Sequence, residues 1–140
     1  MNAAIEIHDS ELAAVVATQN GVIVRFAPAY VHRSIARPGF DAGSGWSQPV
    51  EMLFGSGVVE GNLPELPCTL DDGSLSGGAE FHGMIPLPCV VESAVRFEAR
   101  NLHGELVVIR GVSLEVKPVG DASYVDEFPG EQPQRSSPCT

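Results

Sequence analysis

The side chains best equipped for recognition crowd into residues 30 to 46, a stretch of 17. It holds Tyr30, His32, Arg33, Ser34, Arg37, Asp41 and Trp46, among them the single Trp, one of two Tyr and two of only eight basic residues. Trp, Tyr and Arg carry much of the energy of interfaces because they are large, partly polar and cheap to order. His and Arg beside a carboxylate also suit an anionic ligand held by charge-assisted hydrogen bonds. The same residues admit a plainer account, in which Trp46 closes one end of the fold, Tyr30 is a strand residue, and Arg37 and Asp41 order a loop.

Metal chemistry has a narrower base. The four histidines, at 8, 32, 82 and 103, are never closer than 21 residues, so any site is assembled by the fold. Glu80 and His82 are the best local pair, since positions i and i+2 of a strand point to one side and can reach one ion. Alternation alone also makes them a solvated polar face. A divalent metal at Glu80 and His82 is therefore the weaker alternative, and no cofactor is expected. His8 with Asp9 reads as a turn pair, and His103 as a turn residue.

Catalytic motifs with a stated mechanism are missing: there is no GxSxG, P-loop, GxGxxG or HExxH. The glycine pairs lie between strands, not at the strand-to-helix turns whose amides cradle phosphate. Cys68 and Cys89, set among Pro and apolar residues, read as small buried hydrophobes. With Cys139 they make three cysteines and no CxxC pair, as expected of thiols in a reduced compartment.

The elements that must position these residues are strands. Val95, Phe97 and Ala99 alternate with Arg96, Glu98 and Arg100, and Val112, Leu114 and Val116 alternate with Ser113, Glu115 and Lys117. Such a period of two marks strands half buried on a core. Arg110 shares the parity of Leu106, Val108 and Val112. Either Gly111 makes a bulge that turns it outward, or the guanidinium is inward and paired; glycine and the cost of burying charge favour the bulge.

Further strands are expected at residues 5 to 7, 12 to 18, 22 to 35, 47 to 60 and 79 to 85. Asn20-Gly21 predicts a type I′ hairpin turn, and Asp71-Asp72-Gly73 a second hairpin. Val22, Val24, Phe26, Tyr30 and His32 share one side of their strand, and Pro28 places that strand at an edge or a bend. Four breakers, Pro38, Gly39, Gly43 and Gly45, make residues 36 to 46 a long loop, the kind that often carries function. About eight short strands give an all-β, single-domain antiparallel β-sandwich or small β-barrel over residues 1 to 128. Tyr124, Val125 and Phe128 dock on its body, and residues 129 to 140 are expected to be a disordered acidic, Pro- and Ser-containing tail.

Composition bounds the partners. At 44% hydrophobic and 19% charged residues the chain is ordinary globular material. Its formal charge of −10, from 18 acidic and 8 basic residues, disfavours nucleic acid and anionic membrane surfaces. The start lacks the basic and apolar regions of a secretory signal, so a cytoplasmic location is expected. Two readings follow. The favoured one is a non-catalytic binding module that uses Tyr30, His32, Arg33, Arg37, Asp41 and Trp46 toward a protein partner or as a homodimer. The other is a small-ligand or metal-dependent enzyme with Glu80, His82 and His32 lining a barrel mouth.

Overall fold

A computed structural model describes residues 1 to 131. Within them the chain is all β, and every strand pairing is antiparallel. In chain order the strands are β1 (Asn2–Glu6), β2 (Glu11–Thr18), β3 (Gly21–Ser34), β4 (Gly43–Gly55), β5 (Val58–Glu60), β6 (Cys68–Gly77) and β7 (Phe81–His82). They continue with β8 (Met84–Pro86), β9 (Cys89–Val91), β10 (Val95–Asn101), β11 (Leu106–Gly111), β12 (Ser113–Pro118) and β13 (Ser123–Phe128).

The ladder runs β5-β11-β10-β6-β2-β3-β4-β12-β9, with β1, β7, β8 and β13 attached along it. Its ends do not meet among the described residues, so the sheet is open and is not a closed barrel. Between β2 and β6 the ladder narrows to two residue pairs, Glu11 with Thr69 and Leu12 with Cys68. Across the interior Phe54 of β4 meets Phe97 of β10, with ring centroids 6.3 Å apart. Ile5, Ile7, Leu12, Phe26, Met52, Leu75 and Ile109 belong to the same buried cluster.

β3 and β4 are the spine. Val22, Val24 and Phe26 face the core as the period predicts, but beyond Pro28 the inward residues are Ala29 and Val31. Tyr30 and His32 consequently turn to the opposite face, so the expected common side ends at Phe26. The ladder shows why. Phe26 pairs with Val50 and Ala29 with Gln48, which leaves Ala27 and Pro28 opposite Pro49 alone. Neither proline can donate, so the ladder loses least by bulging where the two face each other. Partners change at the same level, from β2 to β1 along β3 and from β12 to β13 along β4. Pro28 therefore marks a bend, and the β3 edge it suggested is filled.

Glycine signals misled in two places. Thr18 pairs with Gly21, so the β2–β3 loop is Gln19-Asn20, and neither residue has positive φ; the type I′ turn is not formed. Asp71-Asp72-Gly73 lies inside β6 and turns nothing. A Cβ on Gly73 would come within 2.8 Å of Ile7 and 3.2 Å of Ala99, its partner on β10, so this glycine serves close approach of its neighbours. The expected strand over residues 79 to 85 is cut at Gly83: β7 pairs with β6 and β8 with β1.

The phase break expected at Gly111 is the passage of the chain from β11, beside β10, to β12, beside β4. Val107 and Ile109 are inward before it, Leu114 and Val116 after it, while Val112 is exposed. Arg110 points outward, its Nε 2.6 Å from Glu60 Oε1. Both partners are well exposed, so Arg110→Ala should change the unfolding free energy by less than about 1 kcal/mol in a urea titration. A loss of about 3–5 kcal/mol would be the signature of the buried pair instead.

Gly130 and Glu131 stay with the body, where the Glu131 N–H donates to the Phe40 carbonyl at 2.7 Å. The rest of the expected tail, residues 132 to 140 with Cys139, lies outside the described residues. No helix of the described chain is long and apolar enough to cross a membrane.

Candidate functional site

The expected loop ends earlier than its glycines suggested, because β4 begins at Gly43 and makes Trp46 a strand residue. The corner is built by the second half of β3, flanked by β1 on one side and the first half of β4 on the other, with β13 outside β4. Register sorts its side chains. Glu6 lies opposite Tyr30; His32 lies opposite Gly45, which lies opposite Asp126. One face thus carries Tyr30, His32, Glu6, Asp126 and Phe128, and the other Val31, Arg33, Trp46 and Tyr124.

On the first face His32 is only 3% exposed. Its ring meets Tyr30 edge-on at 5.1 Å and Phe128 at 4.8 Å, and its Nε2 lies 3.2 Å from Glu6 Oε1. The Tyr30 hydroxyl donates to Asp126 Oδ1 at 2.7 Å. Ser10 fixes the strand beneath: its Oγ donates to the Glu6 carbonyl at 2.6 Å and accepts the Tyr30 N–H at 2.9 Å. Gly45 is the floor of the cluster, since a Cβ there would overlap both the Tyr30 hydroxyl and the Asp126 carboxylate.

Burial, and then the hydrogen bond to Asp126, raise the Tyr30 phenol well above its ordinary range. The folded state therefore prefers the neutral phenol. Its contribution to stability is complete below pH about 10, where an unfolded Tyr titrates, and is lost as pH rises beyond that. Thermal melts from pH 8 to 11 should show a steeper alkaline decline for the native chain than for Tyr30→Phe; coincident slopes would refute the bond's role.

On the second face the Arg33 guanidinium stacks 4.4 Å above the Trp46 ring, and Tyr124 meets that ring edge-on at 5.5 Å. Trp46 Nε1–H donates to Ser44 Oγ at 2.8 Å. Arg37 and Asp41 stand apart in the loop, where the Arg37 N–H and Nε–H both bond Asp41 Oδ2, at 2.9 and 3.1 Å. These bonds hold the Asp41 carboxyl below the usual carboxylate range. Ser34 closes the same loop by donating to the Ala42 carbonyl. The fold thus gathers Tyr30, His32, Arg33 and Trp46 on two opposite faces of one corner, and does not converge Arg33 and Arg37 on a common anion.

His32 with Glu6 and Tyr30 with Asp126 have the pairing of acid–base groups, but Phe128 and Tyr30 close over the imidazole. Its Nδ1 is buried and has no hydrogen-bond partner among the described residues. The chemistry on offer is the anchoring of β13. Sequence reasoning found Tyr124 and Phe128 as docking residues and missed Glu6, Asp126 and Gly45, which only the strand register brings together. Val125, expected to dock, is the unpaired bulge residue and is 48% exposed.

The other candidates lie elsewhere. His82 lines a shallow groove with Asp72, Ser74, Glu98 and Arg100, while Glu80 Oε1 accepts the Gly77 N–H at a long 3.5 Å. No group of three His, Cys, Asp or Glu has metal-binding geometry among the described residues. Burial raises the Cys68 and Cys89 thiols. An open apolar groove of about 560 Å³, lined by Met1, Ala3, Phe40, Phe81, Met84 and Pro88, had no sequence signal because separate segments build it.

No protein-family model matches this chain, and no curated protein or solved structure matches it either. What the fold and the corner define is a class: an open, antiparallel all-β chain with an exposed strand anchored by an aromatic and histidine cluster.

Proposed function

We propose that the chain is a non-catalytic binding module, built as a β-sandwich, that presents the corner of β3, β4 and β13 to a protein partner. One observation carries this reading: Tyr30 and His32 of the corner are engaged with Asp126 and Phe128 and so hold β13, while β13 itself is exposed from Ser123 to Glu127. Trp46 lies beside it, paired with Tyr124, and Arg37 stands in the neighbouring loop; both are residue types suited to interface anchors. The −10 charge supports a basic protein partner and speaks against nucleic acid; a cytoplasmic location belongs to the same reading. A homodimer is the alternative occupant of the same corner.

The enzyme reading has less support, because the open ladder offers no barrel mouth and His32 and His82 belong to different clusters. Native mass spectrometry of protein purified without chelator separates the two readings. A species without added mass fits the module, and an added mass of a metal ion or small molecule favours the enzyme. Where a complex is seen, the double change Trp46→Ala and Arg37→Ala should weaken it at least tenfold while the domain stays folded. Unchanged association would sink the module.

A further inference from the structure

The outer edge of β13 points to the form of the partner, an inference that rests on the interaction reading above. β13 has β4 as its only strand neighbour among the described residues. In an antiparallel ladder every second residue of such a strand turns its N–H and C=O away from the sheet, a template for another extended chain. With 6 residues β13 is the longest of the single-neighbour strands; β5, β8 and β9 have 3 each and β7 has 2. Tyr124, 54% exposed, and Val125 leave apolar surface beside that edge.

The charge is one-sided. From residue 118 to 131 the chain carries Asp121, Asp126, Glu127 and Glu131 and no Lys or Arg. None of the four is in an ion pair among the described residues. Two copies joined along this edge would set acidic segment against acidic segment, which is unfavourable. A strand bearing Lys or Arg meets complementary charge and loses no pairing. We propose that β13 accepts an extended, basic segment of a partner protein as an added antiparallel strand, with backbone bonds giving affinity and the carboxylates selecting the sequence.

The test is affinity selection of random 12-residue peptides on the full chain, followed by amide NMR titration of the selected peptides. The expected peptides alternate Lys or Arg with β-branched or aromatic residues and shift the amides of Ser123–Phe128. They should bind at least tenfold more weakly to the double variant D121K and E127K, whose two sites are exposed and whose own spectrum reports that it is folded. Acidic or neutral winners, no winners, or equal binding to the double variant would overturn the inference. Peptides that shift Arg33, Arg37 and Trp46 but leave β13 unmoved would overturn it while keeping the module. A dimer that protects the β13 amides would name a second copy as the occupant and overturn it too.

Discussion

Phe97→Ala should lower the unfolding free energy by about 3–5 kcal/mol, the usual loss for a large aromatic removed from a packed core. Phe97 is fully buried on β10, and the ring it meets, Phe54, is on β4. Between the strands around β4 and those around β10 the backbone ladder is only two residue pairs wide at β2 and β6. Cohesion of the two parts therefore falls on side chains such as these. Against a total stability of about 5–15 kcal/mol the loss is large. Guanidinium titration followed by circular dichroism should show a lower midpoint with an unchanged slope. A loss under about 1 kcal/mol would mean that the two faces are not packed through this pair. Phe97→Leu, which keeps most of the volume, should cost clearly less.

The core was legible wherever one strand keeps one face buried. Val22, Val24 and Phe26, then Val95, Phe97 and Ala99, then Leu114 and Val116 are inward as their alternation requires. The pattern failed where a strand changes neighbours. At Pro28 and Pro49 the phase of β3 slips, and at Gly111 the chain leaves one set of strands for another. Nothing local announces which partner waits on the far side of such a break. Glycine was ambiguous for a related reason: the same missing side chain permits a turn or a close approach, and at Gly73 it is the approach that the fold uses.

The candidate site was legible as residue types and illegible as geometry. Tyr30, His32, Arg33 and Trp46 do share a corner, yet strand alternation places Tyr30 and His32 on one face and Arg33 and Trp46 on the other. Glu6 and Asp126 complete it from 24 residues before Tyr30 and 96 after it, separations at which composition gives no hint. Arg37 and Asp41, neighbours in a polar loop, satisfied each other instead of a ligand. A short-range salt bridge often does this, since little chain entropy opposes it.

Gly45→Val should release β13 from the sheet while leaving the core folded. The new side chain would occupy the space of the Tyr30 hydroxyl and the Asp126 carboxylate, so their bond and the strand that carries Asp126 must move. β13 has little buried surface of its own, being exposed from Ser123 to Glu127, so local opening costs less than global unfolding. The expected global penalty is about 1–3 kcal/mol, in the range of an overpacked site. The local effect is larger: amide exchange across Ser123–Phe128 should quicken at least tenfold, and Trp46 fluorescence should shift as Tyr124 leaves its ring. Adding Tyr30→Ala to Gly45→Val empties the contested space and should restore part of that protection, a rescue that simple unfolding would not show. If β13 keeps its protection in Gly45→Val, the glycine is not the floor of the cluster. The same variant also tests the strand-addition edge, because peptides that need an ordered β13 must lose affinity together with it.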